Sequence, residues 1–500
     1  MIKKVLGPPG TGKTMTLLNE VNNYLVKGVP LNKIGYFAFT RKAAAEARDR
    51  FLNIHKNYVR SDVKFFQTLH SLAFHTLGMS EENVMQPVHY EQIGKELSIR
   101  VNYYSEADDS GYLNCDNEYF KLINKARIKN ISIEDEFNTN EWSREIDFEL
   151  LNHIYVNFLN YKESYNLYDY TDMITQFINN KDKCPSFDVV FIDEAQDLSP
   201  IQWKMFDILN DKSKDIFIAG DDDQAIFAWA GADVNRFIDQ PAKEEVLQQS
   251  VRIPQAVQEI SNIILDRIQG NRKEKIYFPK KDDKGNVIQG KVESIFNFDN
   301  LDISNGKWLI LTRTVYRALE ISKQLKENNL YYKNTFGKSY NSKLYKSVLK
   351  WTSLTEGNEI SIADCKDIYE YLEQQFDESK FENKLTVKME DLGFSKDTKW
   401  YDAFVNADHN EEFYIRSMLS NGEKLSEEPR IEVSTIHAAK GGECKNVILV
   451  LDNARKIRES TAENVDKQDE EHRVWYVGVT RSMENLYLFK SKKERYGYQL

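Results

Sequence analysis

The sequence predicts an α/β protein with two parallel β-sheet domains, each interrupted by a mainly helical insertion. In both halves of the chain, short runs rich in β-branched and aromatic residues alternate with segments of helical periodicity. Such alternation is typical of parallel sheets that are covered by helices on both faces. A chain of 500 residues with 41% hydrophobic content is large enough to bury several cores.

The first sheet domain is predicted at residues 1–79 and 166–244, and the second at residues 245–339 and 426–500. Their strand-like runs end in turn or polar residues, and the carboxyl ends of parallel strands share the edge at which ligands bind. The runs are Val5-Leu6, Gly35 to Phe39, Val63 to Phe66, Val189 to Ile192 and Ile216 to Ala219, followed by Trp308 to Leu311, Ile431 to Ser434, Val447 to Leu451 and Leu486 to Phe489.

Two polar stretches, residues 80–165 and 340–425, are predicted to form the helical insertions. In the first, apolar residues recur at every fourth position from Ile146 to Phe158, which is typical of one helix face. The second shows the same spacing from Ile368 to Phe376. Each stretch interrupts the strand pattern and is therefore expected to be carried by a sheet domain.

Composition excludes several classes of protein. The four cysteines stand far apart without a C-x-x-C pair, which disfavours a disulfide framework or a cysteine-rich zinc site. A glycine-rich motif begins at residue 7 and leaves no room for a signal peptide, and no apolar run approaches the ~20 residues of a membrane span. We therefore expect a cytoplasmic protein without a membrane partner. The net charge of −11 leaves nucleic acid open as a partner, because a binding channel needs only a local basic lining.

The glycine-rich motif is a complete G-x-x-x-x-G-K-T that follows the first strand-like run. Its backbone N–H groups would surround a di- or triphosphate, Lys13 would reach the outer phosphates, and the Thr14 hydroxyl would ligate Mg²⁺. The following helix places its N-terminal dipole at the same anion. A strand before and a helix after favour this interpretation over a turn that binds nothing. The predicted nucleotide contacts are Gly7, Pro8, Pro9, Gly10, Thr11, Gly12, Lys13 and Thr14.

Two adjacent carboxylates follow the run from Val189 to Ile192. We expect Asp193 to hold Mg²⁺ through water, opposite Thr14, and Glu194 to accept a proton from the water that attacks the γ-phosphate. The alternative is an acidic first turn of a helix, where Asp and Glu are also common. The phosphate loop upstream favours the catalytic interpretation.

Gln224 follows the next run and is placed to sense the γ-phosphate and to orient water. Phe227 and Trp229 come a few residues later, where they would link the nucleotide state to a platform for stacked bases. Aromatic residues are more often part of a core. We prefer the core interpretation for Phe227 and the stacking interpretation for Trp229.

Two further strand ends carry candidate nucleic-acid contacts. Phe39 and Thr40 offer an aromatic face and a hydroxyl, followed by two cations, where a phosphodiester chain would run. Thr68 and His70 repeat the arrangement. His70 lacks a carboxylate or cysteine at metal spacing, so a packed or hydrogen-bonded histidine is favoured over a zinc ligand.

In the second half, Arg252 and Arg481 are candidates for the γ-phosphate. Taken singly, each is best interpreted as a surface arginine. A γ-phosphate held between two sheet domains nevertheless needs guanidinium groups from the far side, because the transition-state charge spreads over three oxygens. A further cluster from Val433 to Glu443 follows a strand-like run and mixes hydroxyl, imidazole, ammonium and carboxylate groups.

Taken in order, these segments resemble the superfamily 1 helicases of the UvrD/Rep family, and the resemblance covers both sheet domains. It implies two RecA-like domains with ATP and Mg²⁺ between them, each carrying an insertion, and single-stranded DNA that crosses both. The motifs that carry the resemblance are Ala38 to Ala43, Ile192 to Asp197, Gly220 to Phe227, Thr435 to Gly441 and Tyr476 to Arg481.

The resemblance also implies residue roles. The family usually carries an adenine-reading glutamine upstream of the phosphate loop, for which this chain begins too late, and a base-stacking tyrosine where Val251 stands here. Glu443 matches a residue that touches the ribose. The implied catalytic residues are Lys13, Asp193, Glu194, Gln224, Arg252 and Arg481, and the implied DNA contacts are Phe39, Thr68, His70, Trp229, Thr435 and His437.

We expect an ATP-dependent DNA helicase that moves 3′ to 5′ on single-stranded DNA, unwinds tailed duplex DNA and meets replication or repair proteins as partners. Two alternatives stay open. One is a translocase that displaces bound proteins without unwinding duplex, and the other is a nucleotide-switched DNA-binding or loading module. The many Asn, Lys, Ile and Tyr residues suit an AT-rich genome such as a phage's, so the expected compartment is a bacterial or phage-infected host cytosol.

Overall fold

The computed structural model describes residues 1–102, 115–139, 142, 146–298, 301–303, 305–381, 384–462, 464–491 and 496–500. Parts of the two predicted insertions, residues 103–114, 140–141, 143–145 and 382–383, lie outside this description. The chain forms two compact units. Unit 1 comprises Met1–Gly290 and Glu459–Met483, and unit 2 comprises Lys291–Arg458 and Glu484–Leu500.

Fifteen strands and eighteen α-helices lie in the described part of the chain. The strands are β1 (Ile2–Leu6), β2 (Ile34–Ala38), β3 (Phe66–Thr68), β4 (Phe187–Asp193), β5 (Ser213–Gly220), β6 (Lys243–Val246), β7 (Lys291–Ile295), β8 (Trp308–Thr312), β9 (Tyr332–Asn334), β10 (Gly337–Lys338), β11 (Ile360–Ser361), β12 (Thr386–Val387), β13 (Ile431–Thr435), β14 (Cys444–Val450) and β15 (Ser482–Phe489). The helices are α1 (Lys13–Val26), α2 (Arg41–Ile54), α3 (Leu69–Leu77), α4 (Pro87–Glu96), α5 (Glu118–Lys129), α6 (Ile133–Phe137), α7 (Phe148–Tyr165), α8 (Tyr170–Asn179), α9 (Pro200–Asp211), α10 (Val234–Asp239), α11 (Gln255–Leu265), α12 (Val315–Glu327), α13 (Ser342–Thr355), α14 (Ile362–Tyr369), α15 (Trp400–Ala403), α16 (His409–Ser420), α17 (Arg455–Thr461) and α18 (Val465–Val479).

The sheet of unit 1 has the strand order β3-β2-β4-β5-β1-β6, and all of its strands are parallel. Its register pairs Leu6 with Gly220 and Ala38 with Asp193, so β1, β2, β4 and β5 end at the same edge. The residues that follow these strands therefore meet in space. The core on one face of the sheet includes Leu17 and Val21 of α1 and the stacked rings of β4 and β5.

The sheet of unit 2 has the order β10-β9-β13-β8-β14-β15-β7. Strand β10 pairs with β9 in the antiparallel direction, while β13 pairs with β8 and β9, and β14 with β8, in parallel. The predicted α/β class with two sheet domains is thus confirmed, and the second sheet differs from the prediction by its antiparallel edge.

Residues of both predicted insertions form helices with cores of their own. The core of the first includes Ile93, Phe120, Leu151 and Phe158, and the core of the second surrounds Trp351. The predicted helical face is wrong at Leu150, which is 38% exposed. Asp147 caps α7, and the buried face of the helix runs through the next leucine instead.

Two other local predictions differ from the structure. The run Val63 to Phe66 forms a turn closed by a hydrogen bond from Phe66 N to Val63 O, and β3 begins only at Phe66. The helical spacing predicted from Ile368 to Phe376 ends early, because α14 ends at Tyr369.

The compact units also differ from the predicted domain limits, because residues 245–290 and 459–483 pack with unit 1. Helix α18 packs on α11, and β6 joins the first sheet beside β1. None of the helices in the described ranges is long and apolar enough to cross a membrane.

Candidate active site

The loop between β1 and α1 is built as a cradle for an anion. Gly7 N donates to Gly220 O at 3.0 Å, which ties the start of the loop to the end of β5. Gly10 and Gly12 have φ values of 70° and 85°, in the left-handed region that favours glycine. Lys13, the first residue of α1, turns its Nζ into the loop and donates to Gly7 O at 2.9 Å. The N-terminus of a 14-residue helix thus opens into the loop beside a lysine, which suits a phosphate group.

Residues 250–252, which also belong to unit 1, bind the phosphate loop and are called the clamp below. Ser250 Oγ donates to Pro9 O at 2.9 Å, and Val251 N donates to Gly10 O at 2.9 Å. A Cβ atom on Gly10 would lie 2.3 Å from Arg252 Cβ, so the close approach requires glycine at position 10. Arg252 is therefore held against the phosphate loop.

Asp193, the last residue of β4, lies opposite the loop. Thr14 Oγ1 donates to Asp193 Oδ2 at 2.7 Å, and the Tyr36 hydroxyl donates to the same oxygen at 2.9 Å. Burial raises the pKa of Asp193, and the charge of Glu194 adds to this, while the hydrogen bonds and the charge of Lys13 act in the opposite direction. Burial and Asp193 also raise the pKa of Tyr36, which keeps that hydroxyl a neutral donor.

Glu194 adopts a left-handed backbone conformation with φ of 55°, which is unusual for a residue with a Cβ atom. Its carboxylate lies 3.9 Å from Lys13 Nζ and accepts a hydrogen bond from Gln196 Nε2 at 2.7 Å. Gln196 is fully buried, and its Oε1 accepts from Asp221 N at 3.0 Å. The backbone strain and this amide together hold the carboxylate beside the loop.

Gln224 lies just beyond β5 and connects Asp221 to Arg481. Its Nε2 donates to Asp221 Oδ2 at 2.6 Å, and its Oε1 accepts from Arg481 Nη2 at 3.0 Å. The Arg481 side chain is buried and also donates from Nε to Val477 O at 2.9 Å. One hydrogen-bonded path therefore runs from Glu194 through Gln196 and Asp221 to Gln224 and Arg481.

The structure brings all six predicted catalytic residues into unit 1. Arg252 and Arg481 were expected from the second of the predicted domains, but Val251 N bonds to Gly10 of the phosphate loop and Arg481 bonds to Gln224 in the turn after β5. Glu443 lies in unit 2, exposed in the segment between β13 and β14.

The residues present fit the Mg²⁺ and nucleotide that the motif implies. The Thr14 hydroxyl and the Asp193 carboxylate form a partly buried pair of hard oxygen donors, the class of ligand that Mg²⁺ prefers. The loop supplies backbone N–H groups, a helix N-terminus and one lysine, which together match a polyphosphate.

The candidate DNA contacts of unit 1 line or flank a small pocket that has both apolar and polar walls. Phe39 and Phe227 have ring centroids 5.4 Å apart, and both line the pocket together with His70. Phe39 is only 6% exposed, so its ring is a wall of the pocket rather than the open face that was predicted. Burial of the His70 ring, together with the charge of Arg41, lowers its pKa to about 4, in agreement with a packed, neutral histidine.

Trp229 differs from these buried rings because it is 42% exposed. Its ring centroid lies 6.4 Å from that of Phe227, at the side of the pocket wall. Phe227 itself is buried, as predicted. An exposed indole supported by a buried aromatic ring is a suitable surface for base stacking.

Four other predicted contacts lie at helix or turn starts. Thr40 Oγ1 accepts from Ala43 N and caps α2, and Thr68 Oγ1 accepts from Ser71 N and caps α3. In unit 2, Thr435 ends β13 and accepts from Ala438 N at 3.2 Å, and His437 follows it, half-buried. Thr40, Thr68 and Thr435 are thus fixed locally by short-range hydrogen bonds.

Sequence reasoning missed several residues that shape the site. Tyr36 lies two positions before the end of β2, on the same face as Ala38, and the pairing of Ala38 with Asp193 brings its hydroxyl within reach. Gln196 stands two residues after Glu194, and its amide could have been predicted from this spacing to bond the Glu194 carboxylate. Nothing in the local sequence marked Ser250 or Lys275, because each acts on a segment distant along the chain.

Two family models match separate parts of this chain. Residues 3–244 match the family model described as UvrD/REP helicase N-terminal domain, and residues 368–493 match that of the UvrD-like helicase C-terminal domain. The two matches include both the phosphate loop and Arg481.

Individual relatives are similar at low identity. ATP-dependent DNA helicase Rep of Buchnera aphidicola subsp. Baizongia pistaciae is 23% identical over 399 residues, which are 74% of this chain and 55% of that protein. A probable DNA helicase of Mycoplasma pneumoniae is 28% identical over 63% of each chain. ATP-dependent DNA helicase PcrA of Leuconostoc citreum is 21% identical over 70% of this chain and 50% of its own. The chain spans about half the length of the curated relatives it matches.

Proposed function

Because the chain belongs to the UvrD/Rep helicase family, we propose that it hydrolyses ATP to move 3′ to 5′ along single-stranded DNA and to unwind tailed duplex DNA. The observation that carries the proposal is the hydrogen-bonded path from Glu194 to Arg481 beside the phosphate loop. Such a path connects the proposed general base, the proposed γ-phosphate sensor and an arginine within unit 1.

The phosphate loop binds the nucleotide in this proposal. The loop N–H groups and Lys13 hold the phosphates, and Arg252 is delivered to the loop by the clamp at Ser250. Thr14 and Asp193 would hold Mg²⁺, which neutralises charge on the phosphate oxygens when it is bound. Glu443 is the proposed ribose contact from unit 2.

Glu194 is the proposed general base. Its strained backbone and the Gln196 hydrogen bond fix the carboxylate without neutralising it, so it can accept a proton from a water molecule. Gln224 orients that water through its amide. Arg481, fixed by Val477 O and Gln224, stabilises the charge that spreads over the γ-phosphate oxygens.

The proposed DNA track combines stacking and backbone contacts. The exposed face of Trp229 stacks on bases, and the buried Phe39 and Phe227 rings support it from the side. Thr40 and Thr68 in unit 1, and Thr435 and His437 in unit 2, lie at segment starts where polar groups can contact phosphates or sugars.

The test is strand displacement on two duplexes that differ only in the polarity of a single-stranded tail. We expect ATP-dependent displacement from the 3′-tailed duplex and little from the 5′-tailed one. Displacement only from the 5′ tail would overturn the polarity. Removal of a protein block without displacement of either strand would favour the translocase, and ATPase activity that does not depend on DNA length would favour the loading module.

A further inference from the structure

Three adjacent aspartates follow β5, and all three are buried. Asp221 and Asp222 are 0% exposed and Asp223 is 1% exposed. Carboxylates so close together repel one another, and burial adds the cost of removing them from water. A cluster of this kind persists only where cations and hydrogen-bond donors compensate it.

Lys275 reaches all three carboxylates from a segment about fifty positions further along the chain. Its Nζ lies 3.0 Å from Asp221 Oδ1 and 2.9 Å from Asp223 Oδ2, and it also pairs with Asp222. The Lys275 side chain is only 2% exposed. Both the lysine and its partners belong to unit 1.

The same segment supplies separate partners to two of the aspartates. Arg272 binds Asp223 through two hydrogen bonds, each of 2.9 Å, and Lys273 N donates to Asp222 Oδ2 at 2.8 Å. The contact that this segment makes with the Asp221 carboxylate comes from Lys275. Loss of Lys275 would therefore affect Asp221 most directly.

The Asp221 carboxylate in turn fixes the orientation of the Gln224 side-chain amide. Asp221 Oδ2 accepts a hydrogen bond from Gln224 Nε2, so the Oε1 side of the amide is left to face Arg481 Nη2. If the amide turned over, two donors would face each other at Arg481. The orientation of Gln224 and the position of Arg481 thus depend on the same carboxylate.

We propose that Lys275 is a positioning residue for ATP hydrolysis, which holds the Asp221 carboxylate so that Gln224 presents its amide oxygen to Arg481. The inference rests on the proposed function, because it assigns the reaction to Gln224 and Arg481. The charged partners of Lys275 are the three aspartates, and its proposed effect on hydrolysis passes through Asp221 and Gln224.

The test is a double-mutant cycle of Lys275→Met and Gln224→Ala, with DNA-stimulated ATP hydrolysis as the readout. Lys275→Met is expected to lower kcat about tenfold to a hundredfold with less than about a threefold change in the KM for ATP, because the loss falls on the transition state. In the Gln224→Ala background the same substitution should lower kcat less than about twofold further. Equal losses in the two backgrounds would show that Lys275 does not act through Gln224, and would overturn the proposal.

Lys273→Met is the matched control, since the Lys273 side chain pairs with Glu244 at 2.9 Å, and its bond to Asp222 comes from the backbone N–H, which the substitution keeps. Its kcat is expected to stay within about twofold of the unaltered protein. A loss as large as that of Lys275→Met would assign the effect to the charge of the whole segment and would overturn the proposal.

Folding is checked by the rise in melting temperature that ATP produces in each variant. If Lys275→Met does not fold, Asp221→Asn replaces it in the cycle, and the same non-additivity with Gln224→Ala is expected. Lys13→Ala separates the two levels of inference. Normal hydrolysis by Lys13→Ala would defeat the proposed function itself, whereas an inactive Lys13→Ala beside an unimpaired Lys275→Met would defeat only the role of Lys275.

Discussion

Arg481 Nη2 donates a hydrogen bond to Gln224 Oε1 at 3.0 Å, although the two residues stand 257 positions apart in the chain. The bond joins the turn that follows β5 to the residues just after α18, and both partners are buried. The bond therefore holds two segments that are distant in the chain against each other.

Lys13→Ala is expected to abolish ATP hydrolysis while leaving single-stranded DNA binding largely intact. Lys13 Nζ points into the phosphate loop, and the candidate DNA contacts are other residues. Loss of a charged contact to a phosphoryl transition state costs several kcal/mol, roughly 3 to 4 in comparable cases. Phosphate release and fluorescence anisotropy with a labelled oligonucleotide measure the two properties. Lys27→Ala, an exposed lysine just after α1, is the control and should hydrolyse ATP normally.

Trp229→Ala is expected to slow movement along single-stranded DNA far more than it lowers DNA-independent ATPase activity. The indole is 42% exposed, and stacking on a base is worth ~1–3 kcal/mol. Stopped-flow arrival of the protein at a labelled DNA end measures the stepping rate. Tyr165→Ala, which removes a ring that is 62% exposed on α7, serves as the control. An unchanged stepping rate in the Trp229 variant would remove the tryptophan from the track.

The site is expected to accept bases other than adenine. The proposed contacts of Lys13, Thr14 and Asp193 address the phosphates and Mg²⁺, which are common to all nucleoside triphosphates. Val251, the residue where the family has a stacking tyrosine, is 68% exposed. GTP should therefore support DNA-stimulated hydrolysis within about tenfold of ATP in kcat/KM, a gap of roughly 1.4 kcal/mol.

Steady-state measurement of kcat/KM with ATP, GTP and CTP tests this tolerance for the base. Val251→Tyr is an informative variant, because a flat ring stacks on any base and should lower the KM for ATP and GTP alike. A preference for ATP of about a thousandfold or more would reveal a buried polar group that hydrogen-bonds adenine. Another base would leave such a group without a partner, and this is how a binding site discriminates strongly between bases.

Arg127→Met is expected to destabilise the junction between α5 and α8. Arg127 pairs with Asp169 and Asp172, and the Arg127 and Asp169 side chains are only 11% and 6% exposed. Without Arg127, Lys162 alone would face both carboxylates, which leaves one negative charge uncompensated. Breaking a buried ion pair in this way costs about 3–5 kcal/mol. Hydrogen exchange of the α5 and α8 amides reports the local free energy of opening.

The control for that variant is Arg50→Met, which breaks an exposed pair with Glu46 one helical turn away. Its effect should not exceed about 0.5 kcal/mol. Equal protection of the α5 and α8 amides in Arg127→Met and in the unaltered protein would contradict the assigned role of the buried pair.

The sequence by itself determined the α/β class, the family and the strand-end positions of the catalytic candidates. These features depend on local patterns. The phosphate loop lies within eight residues, Asp193 and Glu194 directly follow a buried strand, and the parallel arrangement brings strand ends to one edge. The expected burial of Phe227 and exposure of Trp229 also agree with the structure.

Only the tertiary structure decided which groups, distant along the chain, pack together and balance one another's charge. Residues 245–290 and α18 pack with unit 1, which places Arg252 against Gly10 and Arg481 against Gln224. The carboxylate cluster after β5 is legible in the sequence, but the lysine that balances it is not. The physical reason is that burial and ion pairing depend on distance in space, and no local pattern encodes the approach of Lys275 to Asp221.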